Sequence, residues 1–579
     1  MIHYRIALHD LHAHHFRVTL TVPQPATVQR VSLPVWIPGS YMVRDFGRHL
    51  SRLEARQGRT AVTLNQVDKT TWQATCRGRS ALTLTYLMYA FDRSVRAAFL
   101  DSARGFFNGT SLCLRVEGRE SEPHGITLAG LPRGWSVATA MAGDRAHGYS
   151  AADYDELVDH PFEIGVFWRS AFEVAGVAHE FVVAGAWPGF DGERLLADTR
   201  RLCETHIGFW HGCRKPRPPF DRYVFLLNAL EDGHGGLEHR ASTALIAARR
   251  DLPRIGQAKA GDDYHSLLGL ISHEYFHSWN VKRLKPRDLA RIDYTRENYT
   301  ALLWFFEGFT SYYDDLLLLR AGLIDPPRYL GLIAKTLNGV AANPGRQVQS
   351  VAQSSFDAWV KYYRGDENTP NATVSYYTKG ALVALALDLT LRKDRRGTLD
   401  EVMQHLWRTS RGGPIDEHDI AAALREVGGR AYGKELAAWV HGTDELPLPA
   451  LFDAAGVTQS HSPMGFAAAL GLRLSEGALS GVQVKSVLAG SAAARAGVAA
   501  GDELLAAGGW RIRRLDDAQQ WLAAGQPFEL LLVRDQRVLS LNVLPPVASR
   551  AAPTQTVALA LADKPAAAAA SLRRGWLGV

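Results

Sequence analysis

Residues 273–277 read His-Glu-Tyr-Phe-His, inside an apolar stretch with helical character. On an α-helix successive residues turn by about 100°, so residues four apart differ by about 40° and both imidazoles leave the same face. Two neutral imidazole nitrogens so placed can share a zinc ion, which takes such ligands at about 2.0–2.1 Å and keeps one position open in catalytic sites. Glu274, about 100° around the helix, stands beside that position. A carboxylate there can take a proton from water and return it to a leaving amine. With 21 His and 59 acidic residues among 579, the pattern arises by chance about 0.08 times in such a chain.

Three ligands are needed, and a second segment offers the third. Trp304-Phe305-Phe306-Glu307-Gly308-Phe309 places one carboxylate among aromatic residues. A buried carboxylate is costly unless it is paired or bound to a metal. Glu307 therefore completes a His273, His277, Glu307 set for one zinc ion per chain.

The length of 579 residues predicts three or four domains. Residues 1–165 read as an all-β domain, with alternating segments at Tyr4 to Leu8, Phe16 to Val22, Val28 to Val35 and Leu82 to Met88. Residues 166–455 read as α+β. A hairpin at 171–186 and a helix at about 191–212 lead to a strand at 223–227, then to helices near 264–284, 298–321, 326–338, 374–393, 398–410 and 417–427. The net charge of +6 is small for this length, and no basic block motivates nucleic-acid binding. The four cysteines, Cys76, Cys113, Cys203 and Cys213, form no CxxC pair, although a Cys203–Cys213 bridge stays open. Residues Met1 to Asp10 lack the charged and apolar regions of a signal peptide. No apolar run is long enough to span a membrane. The expectation is a cytoplasmic protein, or a periplasmic one if a leader was removed.

Residues 462–545 resemble a PDZ domain. Leu470-Gly471-Leu472 matches its carboxylate-binding loop, followed in order by a strand at 482–487, a short helix at 491–496 and the Gly501-Asp502 turn. The resemblance implies a groove for a C-terminal peptide. The chain's own Val579 is one candidate occupant, of its own groove or a neighbour's. The remaining tail, 546–579, contains the run Ala566 to Ala570, read as linker or a marginal helix.

The run His273 to Pro286, with Asn298-Tyr299-Thr300 and the Glu307 segment, resembles the glycyl aminopeptidase family of gluzincin zinc metallopeptidases. Leu33-Pro34-Val35-Trp36-Ile37-Pro38-Gly39-Ser40-Tyr41 resembles the same family's N-terminal domain. The resemblance covers about 1–545. It implies a multidomain chain with a thermolysin-like α+β catalytic domain, a helical bundle and a C-terminal PDZ domain. It also implies a zinc aminopeptidase that releases small N-terminal residues, Gly and Ala first, from peptides with a free N-terminus. Gly235-Gly236-Leu237-Glu238-His239 resembles the G-A-M-E-N motif of related aminopeptidases, with Gly236 in place of Ala and His239 in place of Asn. By that resemblance Glu238 binds the substrate's ammonium, and Gly235 and Gly236 lie on the strand that pairs with the peptide. Tyr377-Thr378-Lys379-Gly380 resembles a Y-x-K-G segment whose Tyr hydroxyl stabilises the oxyanion, with the adjacent Tyr376 as the alternative donor. Two rival readings share these features: a PDZ-directed metalloendopeptidase, and a PDZ binding scaffold with a vestigial metal site.

Overall fold

The computed structural model describes residues 1–212, 217–544 and 555–579. The chain forms two compact units, one of Met1–Tyr299 with Trp407–Ile415, the other of Thr300–Leu406 with Asp416–Val579. Cys76, Cys113 and Cys203 are buried free thiols, and Cys213 lies outside the described residues. Among the described residues no helix is long and apolar enough to cross a membrane.

The first unit begins β-rich. Ile2–Asp10 sits within an eight-stranded sheet, antiparallel to His15–Val22 and parallel to His124–Ala129. Its alternation is the reason. Ile2, Tyr4, Ile6 and Leu8 face a core shared with Phe16, Val18, Leu20 and Val22, while the residues between them stay wetter. The strand expected over 28–35 ends at Ser32. Beyond it, Leu33 to Tyr41 runs as a buried loop carrying the Trp36-Ile37-Pro38-Gly39 segment.

A five-stranded mixed sheet follows, in the order Trp168–Val174, Val177–Ala184, Arg222–Leu230, Ser242–Ala248, His234–Glu238. The parallel pairing of Val177–Ala184 with Arg222–Leu230 needs a crossover, which the helix Gly192–His211 supplies. Among the described residues His234–Glu238 lies at the end of the sheet and pairs only with Ser242–Ala248, antiparallel.

The His273 helix runs from Asp262 to Phe276 rather than to 284. At its end His277 remains in helical conformation and donates to His273 O at 3.3 Å, so the four-residue spacing keeps its geometry. The chain then turns, with Lys282 N–H donating to His277 O and Leu284 N–H to Trp279 O.

The second unit contains the helices Gly308–Arg320, Pro326–Ala341, Thr378–Lys393 and Glu417–Gly428. The helix expected over 298–321 is two pieces, Leu303–Phe306 and Gly308–Arg320, which meet at Glu307. Gly308 and Gly380 explain how the second piece meets Thr378–Lys393. A Cβ on Gly308 would lie 2.5 Å from Gly380 Cα, and one on Gly380 would lie 2.6 Å from Trp304 O. Only paired glycines allow backbones this close, so the contact fixes Glu307 relative to Tyr377.

The PDZ-like part is a sheet in the order Leu472–Gly477, Gly481–Val487, Glu503–Ala507, Phe528–Arg534, Arg537–Val543. It encloses its own core, which includes Leu470, Leu472, Val482, Val484, Leu504 and Leu530. Gly471 has a φ of +80°, and a Cβ there would fall 2.1 Å from Ser491 Cβ. Glycine is therefore required at the centre of Leu470-Gly471-Leu472. Asn371 ties this part to the helices of its unit, donating to Val487 O at 2.9 Å and accepting from Ala489 N at 2.8 Å.

The described end of the chain is built into the helical part. Gln555–Leu561 pairs with Val457–Pro463. The alanine run belongs to the helix Ala567–Leu577, whose Trp576 is 1% exposed and packs edge-on against Tyr329. The last turn is thus anchored on the helices, with Trp576 and Leu577 buried and Val579 exposed.

Candidate active site

Histidine and glutamate leave the Asp262–Phe276 helix on one face because its other face is committed to packing. Tyr275 and Phe276 are fully buried. Tyr275 packs edge-on against Tyr223 at 4.9 Å and stacks on Phe225 at 5.7 Å, and Phe276 meets Trp210 at 5.1 Å. Two buried histidines brace the helix from below. His206 Nε2 lies 3.0 Å from Ser272 Oγ, and His179 Nε2 lies 2.8 Å from the Tyr275 hydroxyl. Burial pushes the His206 pKa down to about 3 and the His179 pKa to about 4, so both are neutral near pH 7.

His273, Glu274 and His277 occupy the remaining face. His277 Nδ1 lies 2.8 Å from Asn280 O, which makes it the N–H donor and leaves Nε2 with its lone pair. That Nε2 lies 3.0 Å from His273 Nε2. Two nitrogens bound tetrahedrally to one zinc at about 2.0–2.1 Å would stand about 3.3 Å apart, so the pair fits an ion with little movement. The ligand atoms of His273, His277 and Glu307 all lie within 4.8 Å of one another. Two imidazoles and a carboxylate form a donor set suited to zinc.

The edge strand His234–Glu238 carries the next group of predicted residues. Gly236 and Glu238 are two apart and share one face of the sheet. A Cβ on Gly236 would lie 2.2 Å from Glu274 Oε1 and 2.6 Å from its Cγ, so the Glu274 side chain rests on the bare backbone of Gly236. Glu238 lies against the N-terminal β-region in the same way. A Cβ on Gly39 would meet Glu238 Oε1 at 2.4 Å, and Gly39 has a φ of +93°. Both carboxylates are about 5% exposed.

His239, the next residue, faces the opposite side. It is buried with Nδ1 3.4 Å from Asp159 Oδ1. Burial alone would raise the Asp159 carboxyl, yet it is held well below the usual range by Lys282 at 2.7 Å, then by His239 and Arg240. His239 is thus placed to anchor the strand end, opposite the face used by Glu238.

Tyr376 and Tyr377 stack at 4.7 Å, and Tyr362 covers both at 4.8 and 5.5 Å. Tyr376 is fully buried, whereas Tyr377 retains some exposure. Burial, then the charge of Glu307, push the Tyr377 phenol well above its ordinary value and keep it a proton donor. Motif matching found these residues. It could not assign roles to Gly39, His206 or Arg96, which come from contacts between distant segments, or to Asn280, whose carbonyl meets His277 across the turn after the helix. Arg96 donates from Nη2 to Gly236 O at 3.1 Å.

Residues 3–166 match the Peptidase M61 N-terminal domain, residues 266–383 the M61 glycyl aminopeptidase domain and residues 483–534 a PDZ domain. A crystal structure of an aminopeptidase N family protein from Idiomarina loihiensis is similar along the full length of both chains, with 35% identity and a TM-score of 0.92. No curated protein matches at a significant level. These matches put a peptidase in place of the pure binding scaffold. The chain belongs to the M61 glycyl aminopeptidase family, with the β-rich N-terminal region, peptidase domain and C-terminal PDZ domain described above.

Proposed function

We propose that this peptidase is a zinc-dependent aminopeptidase that removes small N-terminal residues, Gly and Ala first, from peptides with a free N-terminus. The observation that carries the reading is the placement of two carboxylates along one strand face. Glu238 and Glu274 both project beside the open edge strand, the first at residue 238 and the second over residue 236. A carboxylate at the strand end favours a cationic ammonium, while an internal peptide bond brings no charge to pair with it.

His273, His277 and Glu307 would hold the ion. The chemistry a zinc ion supplies when bound is Lewis acidity toward water and a carbonyl oxygen. The chain's own groups do the rest. Glu274 takes the proton from the attacking water and passes it to the departing amine, and its contact with Gly236 holds the carboxylate beside the substrate strand. Tyr377, kept protonated, donates to the developing oxyanion. Glu238 anchors the ammonium, and the strand that carries Gly235 and Gly236 pairs with the peptide through its outward groups, the Gly236 N–H among them. The family's glycyl aminopeptidase description supports Gly, and Ala follows as the next smallest residue.

The test compares hydrolysis of Gly-, Ala- and Leu-p-nitroanilide with N-acetyl-Gly-p-nitroanilide, with and without a zinc chelator. Chelator-sensitive cleavage of the Gly and Ala compounds, with the acetylated one untouched, is the expected result. Equal cleavage of the acetylated compound would replace this reading with the PDZ-directed endopeptidase.

A further inference from the structure

On the aminopeptidase reading above, we infer that Arg96 is the subsite for the substrate's C-terminal carboxylate and that the enzyme favours dipeptides with both termini free. Arg96 lies between the strands Leu82–Tyr89 and Ala98–Leu100 of the N-terminal region. Its reach to Gly236 places a cation at the open edge of the strand that carries Glu238.

The hydrogen-bond pattern shows which groups face that edge. His239 N–H donates to Ser242 O at 2.9 Å, and the register pairs Glu238 with Thr243 and Gly236 with Leu245. Inward-bonded pairs alternate in an antiparallel ladder. Gly235 and Leu237 therefore bond inward, while Gly236 and Glu238 turn their N–H and C=O groups outward. Arg96 Nη2 occupies Gly236 O at 3.1 Å, and Nη1 lies 4.0 Å from where a Gly235 Cβ would be. Among the described residues the guanidinium has no carboxylate within 4.0 Å, and its buried Nε has no hydrogen-bond partner.

Three charged groups thus follow one another along the edge: Glu238 for an ammonium, Glu274 over Gly236, and Arg96 at the Gly236 carbonyl. From Glu238 to Gly236 is two residues, about 7 Å of strand. An extended dipeptide spans about the same distance between its amine and its carboxylate. Because Arg96 caps Gly236 O, a longer peptide cannot continue the ladder there. A terminal carboxylate, by contrast, meets a planar donor pair suited to it.

The experiment measures kcat/KM of the zinc-loaded full chain for Ala-Ala, Ala-Ala-amide and Ala-Ala-Ala, in the wild type, Arg96→Gln and Arg96→Lys. The wild type should prefer Ala-Ala to its amide at least tenfold. Arg96→Gln should reduce that ratio below threefold, and Arg96→Lys should restore part of it. Equal rates for acid and amide in the wild type, or an unchanged ratio in Arg96→Gln, would overturn the inference. Calorimetric binding of Ala-Ala and Ala-Ala-amide to zinc-loaded Glu274→Gln separates this claim from the catalytic one. Tighter binding of the acid by tenfold supports Arg96 even if no substrate is turned over. Equal binding, or no binding of either, refutes it even if p-nitroanilides are cleaved.

Discussion

Gly236 stands where the related motif has alanine, and the contact with Glu274 says what the missing methyl does. In Gly236→Ala the new Cβ would lie 2.2 Å from Glu274 Oε1, 2.4 Å from Cδ and 2.6 Å from Cγ. Real Cβ contacts essentially never fall below 3.0 Å, so the carboxylate must retreat by at least about 0.8 Å. The φ of Gly236 is not positive, and the obstructing atoms belong to a side chain. The fold can therefore relieve the clash by moving Glu274, and stability should change by less than about 1 kcal/mol, with part of any loss offset by the smaller unfolded-state entropy of alanine. Catalysis has no such relief. A group misplaced by about 1 Å can cost about 10²-fold in rate, or about 2.7 kcal/mol of barrier. The assay is kcat on Ala-p-nitroanilide beside the thermal midpoint and the zinc content by mass spectrometry. Zinc and midpoint should be retained while kcat falls about a hundredfold. A kcat within threefold of wild type at full zinc occupancy would refute the assignment of Glu274 as the proton-transfer group held by this contact.

Three further outcomes are expected. Gly39→Ala would press a methyl to 2.4 Å from Glu238 Oε1 at a backbone φ of +93°; KM for free-amine substrates should rise about tenfold, and an unchanged KM would detach Glu238 from substrate binding. Tyr377→Phe should lower kcat about 10²-fold with KM little changed, while Tyr376→Phe should leave kcat within a few-fold; the reverse result would exchange the two tyrosines. The buried His206 and His179 stay neutral in the fold down to about pH 3 and 4, but an unfolded chain protonates them near pH 6.5. The unfolded state then binds more protons, so stability present above pH 6.5 is lost as the pH falls toward 4. The thermal midpoint should drop between pH 6.5 and 5 and drop less in His206→Asn; a flat profile would contradict neutral burial.

Most of the candidate site was legible in the sequence because it depends on local spacing and on rare residue combinations. Helical periodicity alone puts His273 and His277 on one face, whatever surrounds the helix. The lone carboxylate Glu307 stood out because its neighbours are aromatic. The β-alternation of Ile2 to Leu8, and the order of Gly-rich turns after Leu470-Gly471-Leu472, are likewise properties of short segments. Helix boundaries were less legible. The Asp262–Phe276 helix and the break at Glu307 depend on packing partners and on close backbone contacts, and neighbouring residues do not report those. The alanine-rich tail was ambiguous because its own pattern is weak. Its order comes from Trp576 burying itself on a helix more than 200 residues earlier.

Sequence by itself thus singled out the side chains proposed to carry the chemistry and the kind of element on which each stands. The tertiary structure decided how they are aimed. Gly39 came from the N-terminal region to rest on Glu238, Gly236 was left bare for Glu274, and Gly308 met Gly380 so that Glu307 and Tyr377 stand together. Arg96 reached the strand edge across 140 residues. The physical reason is that a motif records neighbours along the chain, where dihedral geometry governs, whereas aiming depends on excluded volume and hydrogen bonds between segments that meet only when the fold closes.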